Sequence, residues 1–123
     1  MLYVIYGTDI EKTSLHSRKI VDALTKKKPD ASVFVLNEDT FSVALLDEYL
    51  GSSGLFEAKH IVRLDTLLTN DEFSENILER LPLLGESEHV FVLREGALTT
   101  PIKKKLEKHA HEVRVYDVTE KKK

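Results

Sequence analysis

The sequence has 123 residues, of which 41% are hydrophobic and 32% are charged, and its formal net charge is −3. These values predict one globular domain, and the absence of cysteine excludes disulfide scaffolds, thiolate metal sites and cysteine nucleophiles. No apolar run approaches the ~20 residues of a membrane span and no secretory signal is visible, so we expect a cytoplasmic protein without membrane contact.

Five segments rich in β-branched and aromatic residues predict strands, at 2–6, 32–36, 60–65, 89–93 and 113–116, and the first two are expected to be buried. Amphipathic stretches between them predict four helices, which begin near Asp9, Ser42, Asn70 or Asp71, and Thr100. The third of these helices is expected to continue through Leu81, with Pro82 near its end. This alternation predicts an α/β fold of three layers, α/β/α, with a five-stranded parallel sheet.

Ligands of such sheets bind at the carboxyl ends of the strands, so the first loop is the first place to look for a site. A phosphate-binding P-loop that starts at Gly7 requires glycine at position 12, lysine at 13 and a hydroxyl at 14. The chain has Lys12, Thr13 and Ser14 there, so the second glycine is missing and the lysine is one place early.

Negative charge in the same loop opposes the binding of a polyphosphate. Asp9 and Glu11 stand where the positive end of the helix dipole would hold phosphate. We expect Thr8, Asp9 and Glu11 to serve as helix-capping groups, and nucleotide hydrolysis is not expected. The loop is therefore interpreted as a degenerate nucleotide loop, formed by Gly7, Thr8, Asp9, Lys12 and Thr13.

Other chemical signals are weak. Asp65 ends the third strand, where a phosphoacceptor could lie, but a capping role in the following turn is favoured. The five histidines lack the spacing of a metal site, and no nucleophile motif is present, so we expect no catalytic residues, no metal and no cofactor.

Basic runs occur at Lys26–Lys28, Lys103–Lys105 and Lys121–Lys123, whereas Pro29–Glu57 contains six acidic residues and no lysine or arginine. Lysines at the end of the first helix complement its dipole. A nucleic-acid contact through Lys103–Lys105 is an alternative, although no aromatic residues are interleaved with the lysines.

One loop carries two large apolar residues in succession. Leu55 and Phe56 follow Ser53 and Gly54, in a segment where neither strand nor helix periodicity accounts for them. Such a pair either anchors a partner's hydrophobic pocket or packs beneath the sheet as a loop plug, and the sequence favours neither reading.

The ordered set of segments resembles the N-terminal domain of the DNA polymerase III delta subunit, the clamp-loader member that opens the sliding clamp. The segments that carry the resemblance are Leu2–Asp9, Phe34–Asn37, Leu50–Val62 and His89–Arg94. The resemblance extends nearly from end to end of the chain.

That family implies an AAA+-type P-loop fold without a working nucleotide site, over residues 1–118, with 119–123 as a tail or the start of a linker. It further implies that Ser53, Gly54, Leu55 and Phe56 bind the sliding clamp, with Gly54 where the family commonly has serine. Other loader subunits would join only through lid and collar domains, DNA would be reached through the complex, and no enzymatic activity of its own is expected.

Two alternatives remain open. One is a receiver-like signalling domain that is phosphorylated on Asp65. The other is a small nucleic-acid-binding module that uses the basic run Lys103–Lys105.

Overall fold

The structure, a computed structural model, describes residues 1–51 and 59–118. Its strands are β1 (Leu2–Tyr6), β2 (Ser32–Leu36), β3 (His60–Asp65), β4 (Val90–Arg94) and β5 (Glu112–Val115). Its helices are α1 (Ile10–Lys27), α2 (Val43–Gly51), α3 (Asp71–Glu79), α4 (Leu81–Glu86) and α5 (Thr100–His109).

The five strands form one parallel sheet in the order β2-β3-β4-β1-β5. Side chains alternate between its two faces, as in every strand. On one face, Val4, Val62 and Phe91 share a core with residues of α2, α3, α4 and α5, whereas on the other Ile5 and Val92 pack with Val21 of α1. The sheet thus lies between one helix and four, which confirms the predicted three layers and the five parallel strands.

The stretch predicted as a single third helix is divided at Arg80, which lies between α3 and α4 with φ −100° and ψ 8°. Pro82 has no N–H for the carbonyl of Leu78, and its ring clashes with that carbonyl in a continuous helix, so the hydrogen-bond ladder of α3 cannot run on through this position. Pro82 therefore lies in the first turn of α4 and not near the end of a longer helix.

The other helix and strand boundaries differ from the predicted ones by only a few residues. Asp9 and Asn70 cap α1 and α3 with their side chains, as predicted. Thr99, not Thr100, is the N-cap of α5, and Gly51 is the last residue of α2. Within the described residues, no helix is both long and apolar enough to cross a membrane.

Candidate functional site

The first loop lies at the carboxyl edge of the sheet and is held against the chain that follows β5. Gly7 has φ +141°, and a Cβ at this position would overlap the carbonyl of Tyr116. Its N–H donates to the carbonyl of Gly96 at 3.1 Å. Only glycine fits here without strain, because the conformation and the close approach both exclude a side chain.

The next two backbone N–H groups of the loop are also occupied. Thr8 N–H donates to Oδ1 of Asp117 at 3.0 Å, and Asp9 N–H donates to the carbonyl of Tyr116 at 2.9 Å. The Thr8 hydroxyl accepts from the N–H of Val118 at 2.8 Å. A phosphate cradle needs such N–H groups free to face the ligand. Here three consecutive donors are bound by protein oxygens.

The beginning of α1 is capped from within the same loop. Oδ1 of Asp9 accepts from the N–H of Lys12 at 3.1 Å, so Asp9 is the capping residue expected from the sequence. Thr13 is 1% exposed, and its hydroxyl donates to the carbonyl of Ile10 at 2.9 Å. Thr8 does not cap the helix, since its side chain contacts the chain after β5.

An arginine that sequence reasoning did not single out connects three elements at this edge. Nη1 of Arg94 donates to Oδ1 of Asp65 at 2.7 Å. Nε reaches Oγ1 of Thr13 and Nη2 reaches the carbonyl of Ile10, each at 3.3 Å. The guanidinium therefore fills the corner between the ends of β3 and β4 and the start of α1. The sequence did contain a signal for this ion pair, because Asp65 and Arg94 carry opposite charges at the ends of β3 and β4, which are neighbours in the sheet.

Thr66 follows Asp65 in a conformation that β-branched residues rarely adopt, with φ +56°. Its N–H donates to the carbonyl of Arg94 at 2.8 Å, and its hydroxyl donates to Asp65 at 2.9 Å. These bonds hold the strained turn in place at the carboxyl edge.

Glu95 is a second residue that the sequence did not indicate, and it is 2% exposed. Its Oε2 accepts from the N–H groups of Leu67 at 2.8 Å and Leu68 at 3.1 Å, whereas its buried Oε1 has no hydrogen-bond partner. Burial raises the pKa of Glu95 to about 7, against the opposing effect of the two N–H donors. Glu95 thus holds the connection between β3 and α3 with a carboxyl group that titrates near neutrality.

Asp65, the candidate phosphoacceptor, forms an ion pair with Arg94 at the end of β3. Its Oδ1 is engaged by Arg94 and by Thr66, so it forms an ion pair and does not simply cap the following turn. Receiver domains of the doubly wound type have the strand order 2-1-3-4-5, and this sheet has β1 between β4 and β5. Both observations disfavour the receiver interpretation.

The basic run Lys103–Lys105 lies in the middle of α5. Nζ of Lys103 is 5.7 Å from the centre of the Tyr6 ring, and Lys105 lines a groove that Glu75 and Glu79 also line. Acidic side chains therefore stand opposite part of the run, which disfavours an extended phosphate-binding surface. In the described ranges 1–51 and 59–118, no group of three His, Asp or Glu residues could hold a metal ion.

The predicted clamp-binding residues Ser53, Gly54, Leu55 and Phe56 lie outside the described residues, as does the predicted tail at 119–123. The chain on either side of 52–58 belongs to an aromatic cluster. The rings of Phe34 and Tyr49 stack with their centres 4.8 Å apart. The ring of His60 contacts both of them and stacks on the ring of His89, with 4.6 Å between the two centres. Because His60 begins β3, this cluster lies at the amino edge of the sheet, opposite the first loop.

No protein-family model and no curated protein matches this sequence.

Proposed function

We propose that this chain is a delta-type clamp-loader domain that binds the sliding clamp of a DNA polymerase and helps to open it during replication. In this proposal the domain has an AAA+-type P-loop fold with a degenerate nucleotide site, and partner subunits supply the ATP hydrolysis. The ordered sequence resemblance to the family is the starting point of the proposal. The geometry of the carboxyl edge supports it.

The observation that carries the proposal is the occupied first loop. In a nucleotide-binding P-loop domain, free N–H groups and a lysine at this place would hold the phosphates. Here the N–H groups of Gly7, Thr8 and Asp9 are bound to Gly96, Asp117 and Tyr116. A domain whose loop is held by its own chain suits a loader subunit that does not use nucleotide.

The position of Arg94 supports the same conclusion. Its guanidinium contacts Asp65 and Thr13, so the chain supplies its own cation between the end of β3 and the start of α1. In working P-loop sites an acidic residue and a hydroxyl of this kind serve the nucleotide's Mg²⁺. The sheet order, with β1 between β4 and β5, also agrees with an AAA+-type domain.

In this proposal Leu55 and Phe56 enter an apolar pocket on the clamp. Two such side chains contribute roughly 1.5–3 kcal/mol each when they are fully desolvated, which is enough to dominate a small interface. The described residues that flank this segment are Gly51, the last residue of α2, and Lys59, which precedes β3. They lie at the amino ends of the strands, opposite the first loop.

The test compares clamp binding by the wild-type chain and by a Leu55→Ala/Phe56→Ala variant, using the sliding clamp from the same source. The matched control is Leu15→Ala/Leu83→Ala, which removes two apolar side chains that are 47% and 56% exposed. We expect the first variant to lose at least tenfold in affinity with unchanged thermal stability, and the control to bind like the wild type.

Two results would contradict the proposal: a folded wild-type chain that does not bind the clamp, or equal affinity in all three proteins. If the Leu55→Ala/Phe56→Ala variant instead loses thermal stability, the two side chains pack as a loop plug.

A further inference from the structure

β2 is an outer strand of the sheet and carries two exposed apolar side chains. Among the described residues it pairs only with β3. Phe34 and Leu36 face the core under α2–α5, so Val33 and Val35 project from the opposite face, where they are 43% and 44% exposed. The helix on that face, α1, packs mainly over β4 and β1.

The backbone N–H and C=O groups of the same two valines point away from β3, toward the open side of β2. Ser32 N–H donates to the carbonyl of Lys59, so Ser32, Phe34 and Leu36 use their backbone groups for β3. In a parallel pair, alternate residues bond to the same neighbour. The N–H and C=O groups of Val33 and Val35 therefore point to the outer edge, where they can pair with another strand.

The opposite edge of the sheet, β5, is protected in a way that β2 is not. Glu112 and Arg114 of β5 carry charged side chains, joined by an ion pair of 2.6 Å. Charged side chains on an edge strand discourage pairing with another chain. β2, with the sequence SVFVL, has no charged residue and no proline.

Charges around β2 are arranged with opposite signs at its two ends. Lys26–Lys28 precede the strand together with one acid, Asp30, whereas Glu38 and Asp39 follow it, and all of these residues are exposed. Two copies of the strand in antiparallel orientation would place the basic end of each beside the acidic end of the other. A parallel arrangement would place like charges together, which is unfavourable.

We propose that β2 is a self-association surface, through which two copies of this chain join their sheets by antiparallel β2–β2 pairing about a twofold axis. The inference rests on β2 alone and is independent of the proposed function. Val33 of one copy lies opposite Val35 of the other, and each pair exchanges two backbone hydrogen bonds. The four valines form one apolar patch on a single face of the joined sheet. Because the strand has five residues, the interface is small and the dimer is weak and reversible.

The test measures the monomer–dimer equilibrium by sedimentation as a function of protein concentration. Val35→Pro removes one outward N–H, and proline is tolerated where the N–H of an edge strand faces solvent. The matched control is Val115→Pro on β5: Tyr116 N–H donates to β1, so the N–H of Val115 also points outward. We expect Val35→Pro to raise the dimer dissociation constant at least tenfold and Val115→Pro to leave it unchanged.

A second variant keeps the backbone intact in case Val35→Pro does not fold. Glu38→Lys/Asp39→Lys makes both ends of β2 basic, so we expect it to weaken the dimer at least tenfold at low salt, with a smaller effect at high salt. A wild-type chain that remains monomeric up to its solubility limit would overturn the proposal. So would a dimer that persists in the folded Val35→Pro protein, or one that Val115→Pro abolishes.

Discussion

Burial determines the ionisation of Glu95, and this has a consequence for stability against pH. The pKa of Glu95 in the folded chain is about 7, above its ordinary 4.5. Between these values the folded state binds more protons than the unfolded state, so the free energy of unfolding falls as pH rises. The shift corresponds to a loss of about 3 kcal/mol between pH 4.5 and pH 7.

Glu95→Gln keeps an oxygen for the N–H groups of Leu67 and Leu68 but cannot ionise. We expect urea unfolding of this variant to lack the fall in stability that the wild type shows over this pH range. Glu75→Gln, which changes an exposed carboxyl of α3, is the control and should keep the wild-type slope. A wild type and a Glu95→Gln variant with parallel pH profiles would show that Glu95 is not buried as described.

Gly7 is the residue at which backbone conformation matters most for the first loop. A Cβ there would strain a backbone at φ +141° and displace the carbonyl of Tyr116, so we expect Gly7→Ala to lower the free energy of unfolding by about 2 kcal/mol or more. Gly96→Ala is the matched control, because no atom beyond its own residue and its two chain neighbours lies within 4 Å of its Cβ position. Urea unfolding measures both, and equal losses would contradict the close contact between the loop and the chain after β5.

At the scale of elements, Arg80 connects α2 to the junction between α3 and α4. Its Nε and Nη2 donate to the two carboxylate oxygens of Asp47 at 2.6 and 3.1 Å, and its Nη1 donates to the carbonyl of Asn76 at 2.9 Å. This hydrogen-bonded pair lowers the pKa of Asp47. A bidentate arginine thus secures the place where Pro82 interrupts the helix.

A double-mutant cycle measures the contribution of this pair. We expect a coupling of about 1 kcal/mol between Arg80→Ala and Asp47→Ala in urea unfolding, because Asp47 is half exposed and solvent screens the charges. Arg80→Ala should lose more than Asp47→Ala, since it also loses the bond to Asn76. A coupling of zero would mean that α2 is not held by this contact.

The elements themselves were largely predictable from the sequence, for identifiable reasons. The continuous apolar run 2–6 predicted a buried strand correctly because both faces of a parallel sheet are buried. The run 32–36 was also predicted as a buried strand, but it is an outer strand, so Val33 and Val35 are exposed. The α3–α4 division was missed because Leu81 continues the apolar period of α3, and the period outweighed the backbone effect of Pro82. Strand order was not predictable, because no local pattern records which strands are neighbours.

At the scale of the whole molecule, the unpredictable strand order also explains which residues of the site could not be identified from the sequence. The failed P-loop spacing was visible locally at Gly7–Ser14. The role of Arg94 was not, because its partners Asp65 and Thr13 are distant in the sequence and meet only when β4 lies between β3 and β1. Glu95 was missed for the same reason, since its burial depends on the connection at Leu67 and Leu68.

The occupied carboxyl edge leads to a prediction about nucleotides. We expect calorimetric titration with Mg²⁺–ATP to show no binding at millimolar concentrations, because the N–H groups of Gly7, Thr8 and Asp9 are bound within the chain. Thermal stability should likewise be unchanged by ATP. Saturable binding, or a rise in melting temperature with ATP, would show that the loop opens to accept phosphate.

The most direct measurement of the proposed function is a titration of the sliding clamp with this chain, in the absence and in the presence of ATP. We predict the same affinity under both conditions, and a loss of at least tenfold in the Leu55→Ala/Phe56→Ala variant. Clamp binding that required ATP, or a folded wild-type chain that did not bind the clamp at all, would contradict a nucleotide-independent clamp-binding domain.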